Sequence, residues 1–169
     1  MKTILSAAAL LAALIIPPFA APPALAQAMT EAEVEVPMVT VGDLEIAAPW
    51  ARATPPGQKV SAVYFLIRNK SDKPISLIGA SSPVAGSVVL HTMKAPNGFP
   101  QMTAIDAIEI PPKSEVEFQP GSYHLMLLGL NTMLSIGKAY DVTLKFSDGT
   151  EAALKAAVWD VGMVRVMKQ

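Results

Sequence analysis

The sequence contains no cysteine, only two histidines, few aromatic residues (6%) and almost no net charge (−1) in 169 residues. The lack of cysteine excludes disulfides, thiolate metal sites, cysteine-ligated iron–sulfur clusters and a cysteine nucleophile. The balanced charge disfavours nucleic-acid binding, which usually requires a basic excess. Because 51% of the residues are hydrophobic, the composition is that of a folded chain rather than a disordered one. Its length suits one domain with its own core.

The N-terminal segment has the pattern of an export signal. Lys2 precedes an apolar run of 13 residues from Ile4 to Ile16, and Ala24-Leu25-Ala26 matches the A-x-A cleavage pattern. A membrane-spanning helix needs roughly 20 apolar residues, so the run is too short for an anchor. We therefore expect a cleaved signal peptide over 1–26 and no membrane span after its removal.

The rest of the chain has the sequence pattern of an all-β domain. An acidic stretch over 27–38 predicts a flexible leader, and the domain is expected over 39–169. No later segment shows a sustained 3.6-residue apolar stripe, whereas short β-like runs alternate with turn residues, as in an antiparallel β-sandwich or barrel. Asp148-Gly149 is a two-residue hairpin signal between two such runs. The predicted strands are 39–47, 60–68, 75–81, 86–93, 104–110, 114–119, 122–129, 139–147, 151–158 and 162–167.

Both histidines lie two residues before a methionine, in His91-Thr92-Met93 and His124-Leu125-Met126. Residues i and i+2 of a β-strand point to the same face, so each unit can direct a nitrogen and a sulfur to one side. Met102 follows a Gly- and Pro-containing loop between the two units. Imidazole with neutral thioethers suits Cu(I) and disfavours zinc, which prefers Cys, His and carboxylate ligands. The alternative is that the methionines fill the core and the histidines are structural.

The spacing of these residues resembles a known family signature. His91, Met102, His124 and Met126 reproduce the H-x10-M-x21-H-x-M pattern of the PCu(A)C (PCuAC) copper chaperones. The neighbouring sequences WARATPPG (50–57), ASSPVA (80–85) and PGSYHLML (120–127) are also similar to that family. The resemblance covers about residues 40–150.

The resemblance implies a periplasmic, cupredoxin-like β-sandwich that binds one Cu(I) through His91, Met102, His124 and Met126. It also implies a partner that accepts copper, either an oxidase subunit with a Cu(A) centre or a related oxidase, or another periplasmic copper chaperone. Met93 lies outside the four-ligand spacing and is expected to be an alternate ligand or a packing residue. The His-free C-terminus, in which Met163 and Met167 are expected to pack, gives no sign of a second copper site.

Three functional classes follow from the sequence. The first is a copper chaperone for oxidase assembly, and the second is a periplasmic copper buffer or resistance protein that uses the same site. The third, an enzyme or electron carrier, is disfavoured because a blue-copper site needs a cysteine thiolate. No recognisable hydrolase motif places a serine or an acid beside either histidine.

Overall fold

The structure is a computed structural model that describes residues 37–160. The predicted signal peptide, the leader up to residue 36 and the predicted strand 162–167 lie outside the described residues. Eleven strands are present in this part of the chain: β1 (Met38–Val41), β2 (Leu44–Arg52), β3 (Val60–Asn69), β4 (Ile75–Ser81), β5 (Ser87–Lys94), β6 (Gln101–Ala104), β7 (Ile108–Ile110), β8 (Ser114–Phe118), β9 (His124–Leu128), β10 (Ala139–Phe146) and β11 (Glu151–Trp159). The only helical element over the same residues is a short 3₁₀ turn, Pro96–Gly98.

The strands form one mixed sheet, so the all-β expectation is confirmed. Their order is β6-β5-β9-β3-β2-β11-β10-β4-β7, and β1 pairs with β2 while β8 pairs with β3. β3 pairs with β9 along its first half and with β8 along its second half. The sequence predicts only antiparallel pairing, whereas β2 and β11 pair in parallel.

The core lies on one face of the sheet, because apolar residues alternate along the strands. In β10 and β11 every second side chain is buried, as period-two patterning predicts. β9 and β5 also turn alternate residues inward, which leaves their remaining side chains on the outer face. The largest fully buried side chains are Phe118, Phe146, Ile46, Ile67, Leu77, Ile110, Leu125, Leu127, Leu130, Leu134, Leu144 and Leu154.

Most predicted strands agree with the structure to within two residues at each end. The predicted strand 39–47 is instead a tight hairpin, because Gly42 adopts a φ of +57° and Val41 pairs with Leu44 across the turn. The predicted strand 104–110 is wrong. β6 and β7 replace it and lie at opposite ends of the sheet order, because one pairs with β5 and the other with β4. The hairpin at Asp148-Gly149 is confirmed, but its loop spans residues 147–150 rather than the two predicted residues.

Candidate metal centre

The register of three neighbouring strands brings the predicted ligands to one face of the sheet. His91 of β5 lies directly opposite His124 of β9, and Met102 of β6 lies opposite Met93 of β5. Met126 follows His124 by two residues in β9 and therefore shares its face. Residues that pair directly across an antiparallel ladder also share a face. All five nitrogen- and sulfur-bearing side chains thus lie on the side of the sheet opposite to the core.

The two histidine rings are adjacent and approach each other edge to face. Their ring centroids are 5.6 Å apart and their planes are inclined by 86°. An imidazole nitrogen binds a first-row metal such as zinc at about 2.0–2.1 Å, so rings at this separation can both reach one ion between them.

A backbone hydrogen bond orients the ring of His124. Its Nδ1 lies 3.1 Å from the carbonyl oxygen of Ser122, and the side chain is 4% exposed. Since a carbonyl oxygen can only accept, the neutral ring donates its Nδ1–H there. Nε2 consequently keeps its lone pair, which is how a backbone carbonyl commonly orients a metal-binding histidine.

His91 carries a buried nitrogen that has no hydrogen-bond partner. Among the described residues, its Nδ1 is the one buried side-chain nitrogen or oxygen atom left unpaired. Such an atom costs about 1–3 kcal/mol unless water or a ligand satisfies it. Burial, and to a smaller extent the nearby His124, lowers the pKa of His91. The lowered pKa favours the neutral form of the ring, which is the form that can bind a metal.

The donor set matches a soft, monovalent metal ion. Within residues 37–160, no three His, Asp or Glu side chains gather as a metal site, and the donors beside the two histidines on this face are methionine sulfurs. Thioethers bind Cu(I) well and harder dications poorly. The unpaired nitrogen of His91 and the soft donors around it thus fit Cu(I).

Exposure changes across the site from the inner strand to the edge. His124 is 4% exposed, Met126 and Met93 are partly buried, and Met102 is 50% exposed. Met102 owes its exposure to β6, which lies at the end of the sheet order. The site is therefore closed on the β9 side and open at the β6 edge.

Two aromatic residues extend the site on the closed side, and sequence reasoning does not assign them to it. Tyr64 of β3 lies 6.2 Å from the His124 ring, and Trp50 of β2 stacks on Tyr64 at 4.4 Å. Burial raises the pKa of Tyr64, although Arg52 partly opposes the shift. The run at 60–67 predicts a buried strand but does not show that Tyr64 faces His124, because that depends on pairing between distant strands.

One further aromatic residue and the remaining methionines are not part of the donor set. Tyr123 packs with its ring centroid 6.0 Å from that of the core residue Phe118. Met38 and Met133 are exposed, and neither has a histidine beside it in the sequence. Met29, Met163 and Met167 lie outside the described residues.

Comparison with known proteins identifies the family to which this chain belongs. The model of the LpqE-like family, described as "Putative lipoprotein LpqE-like", matches residues 44–158. A relative from Leifsonia xyli, named "Putative lipoprotein Lxx21020", is 30% identical over 130 residues, which are 76% of this chain and 77% of that protein.

Solved structures of PCuAC domains are similar in both fold and sequence. The "Copper-bound PCuAC domain from PmoF2" is 34% identical with a TM-score of 0.65, over 73% of this chain and 98% of that domain. The "Solution structure of CuI-DR1885 from Deinococcus radiodurans" is 30% identical with a TM-score of 0.56, over 79% of this chain and 87% of that one. This chain therefore belongs to the LpqE-like family, and its β domain is a PCu(A)C domain.

Proposed function

We propose that this protein is a periplasmic metallochaperone that carries one Cu(I) per chain on His91, Met102, His124 and Met126. The observation that carries the proposal is the gathering of imidazole and thioether donors on one sheet face, where His91 Nδ1 is buried without a partner. Solved PCuAC domains described as copper-bound and as CuI-bound support the same metal. Copper is cargo in this role, so the protein needs no catalytic group.

The donor chemistry suits a carrier that must both hold and release its metal. Thioethers bind without losing a proton, unlike a thiolate, and they do not form disulfides in an oxidising compartment. His124 lies at the protected end of the site, and Met102 lies at its exposed end. An acceptor can therefore approach copper from the β6 side while the histidines still hold it.

We propose a copper-accepting oxidase subunit with a Cu(A) centre, a related oxidase, or another periplasmic copper chaperone as the recipient. A copper buffer or resistance protein would use the same ligands without a dedicated acceptor. The exposed position of Met102 favours the chaperone. Transfer to a purified Cu(A) subunit at a rate well above that of free dissociation would distinguish the chaperone from the buffer.

The direct test is a competition titration of the exported chain (residues 27–169) against a chromophoric Cu(I) chelator under reducing conditions. We expect one tight equivalent, and a fall of about 10- to 100-fold in affinity for Met126→Leu, or about 1.4–2.7 kcal/mol. Leucine keeps the apolar volume but lacks the sulfur. The matched control Met133→Leu changes an exposed methionine remote in sequence from the site and leaves the affinity unchanged. Absence of a tight equivalent, or equal affinities for all three proteins, would refute Cu(I) carriage on this face.

Cu(I) affinity should depend on pH in a defined direction. A proton competes with copper for each imidazole, and an unperturbed histidine titrates near pH ~6.5. Because burial lowers the pKa of His91, the loss of its binding should begin below that value. We expect constant affinity above about pH 7.5 and a decline as the pH falls through and below ~6.5.

The measurement is a series of chelator titrations between pH 8 and pH 5, corrected for the chelator's own protonation. A His91→Gln variant serves as the comparison, since its weaker binding should decline less steeply. A flat profile for the unsubstituted protein would contradict binding through the histidines.

A further inference from the structure

The outer face of the sheet offers five donors where four complete the proposed site, and Met93 is the fifth. Its side chain shares the face of His91, two residues earlier in β5, and it pairs directly with Met102 of β6. Direct partners in an antiparallel pair have Cβ atoms about 4.5–5.5 Å apart. The two methionine sulfurs can thus both reach one ion.

Because of the order of the strands, Met93 lies nearer to His124 than Met102 does. β5 is the immediate neighbour of β9, whereas β6 is the second. Adjacent strands are about 4.7–4.9 Å apart, so Met102 lies roughly 9–10 Å across the sheet from β9. By the register of the β5–β9 pair, Met93 is a diagonal neighbour of His124, and diagonal neighbours at about 7–8 Å are within reach of long side chains.

The two methionines differ in exposure. Met102 is 50% exposed on the edge strand, while Met93 is partly buried on an inner strand. An outer and an inner thioether thus lie side by side at the open end of the site.

We propose that Met93 is a further copper ligand that alternates with Met102, an inference that rests on the proposed Cu(I) function. In the exchange, the bond from copper to the Met102 sulfur breaks as the bond to the Met93 sulfur forms. Copper remains Cu(I), and no proton moves. While Met93 holds the ion, Met102 leaves a coordination position at the β6 edge that a donor atom of the acceptor protein can take.

A double-mutant cycle on Cu(I) affinity tests this exchange, because interchangeable ligands are strongly non-additive. Met93→Leu and Met102→Leu should each weaken binding only about 2- to 5-fold, since the other thioether substitutes. The Cu(I) affinity of the Met93→Leu/Met102→Leu double variant should fall by about 30- to 100-fold. Met133→Leu is the matched control and should bind as the unsubstituted protein does. Additive losses, or no effect of Met93→Leu in the Met102→Leu background, would overturn the proposal.

Methyl NMR with ¹³C-labelled methionine supplies a readout independent of affinity. Cu(I) should shift the ε-methyl signals of Met93, Met102 and Met126 and leave that of Met133 in place. A stationary Met93 signal beside shifted Met102 and Met126 signals would overturn the fifth-ligand proposal and leave the proposed function intact. Failure of the unsubstituted protein to bind Cu(I) would refute the proposed function itself.

Discussion

Replacing His124 with glutamine should weaken Cu(I) binding by about 100- to 1000-fold. Zinc-finger sites with four ligands have apparent binding energies of about 10–16 kcal/mol, or about 2.5–4 kcal/mol per ligand, and a tenfold change in affinity is about 1.4 kcal/mol. His124 occupies the buried end of the site, where its side chain is 4% exposed. The loss of Cu(I) affinity in His124→Gln should therefore exceed that in any single methionine variant.

Glutamine suits this test because it separates copper binding from folding. Its side-chain amide can still donate to the Ser122 carbonyl that His124 Nδ1 contacts at 3.1 Å. Competition titration gives the affinity, and thermal unfolding without copper shows whether the fold persists. Tyr123→Phe is the matched control, because the Tyr123 ring lies beside Phe118 of the core, and it should bind normally. A His124→Gln protein that folds and binds Cu(I) at full affinity would remove His124 from the ligand set.

The sequence predicts the local part of this site well because strand periodicity is a local property. Each H-x-M unit is expected on one face of a strand, and the structure places both units so. The resemblance of the spacing to the PCu(A)C signature implies the four ligands without any knowledge of the sheet. Their assignment as copper ligands stays a prediction until metal binding is measured.

The pairing between strands is beyond what the sequence predicts. That His91 faces His124, and Met93 faces Met102, depends on the register of β5 with β9 and β6. Register is set by the burial of one face and by turn geometry along the whole sheet. The place of Tyr64 beside His124 depends likewise on β3 and β9, and so escapes a sequence-based prediction.

The split of the predicted strand 104–110 has a similar origin. Its residues are compatible with one continuous strand, but Met102 and Ala104 belong to a segment that pairs with β5, whereas Ile108 and Ile110 pair with β4. Ile108 and Ile110 are buried in the core, while Met102 is exposed at the opposite end of the sheet order. Competition between two pairing partners, rather than local propensity, decides where the strand ends.

Phe118→Ala should produce the largest loss of stability among the substitutions considered. The side chain is 2% exposed and stacks on Phe65 with ring centroids 4.2 Å apart. Truncating a buried phenylalanine costs about 3–5 kcal/mol, a large share of the roughly 5–15 kcal/mol that stabilises a typical domain. Urea unfolding followed by circular dichroism measures the change. Phe99→Ala is the control, because Phe99 is 74% exposed. Its substitution should change the free energy of unfolding by no more than about 0.5 kcal/mol.

Cu(I) binding should restore part of the stability that Phe118→Ala loses. Phe118 ends β8 and its ring lies 6.0 Å from that of Tyr123, the residue before His124. A ligand that binds only the folded state stabilises it by about 2.7 kcal/mol when free ligand is 100 times Kd. Cu(I) at that excess should therefore raise the urea midpoint of Phe118→Ala, whereas Phe118→Ala/His124→Gln should show little increase at the same concentration. Equal midpoints for Phe118→Ala with and without Cu(I) would mean either that Phe118 is needed to assemble the site or that copper also binds the unfolded chain. Titration of the folded variant separates these two causes, because only the first abolishes its Cu(I) binding.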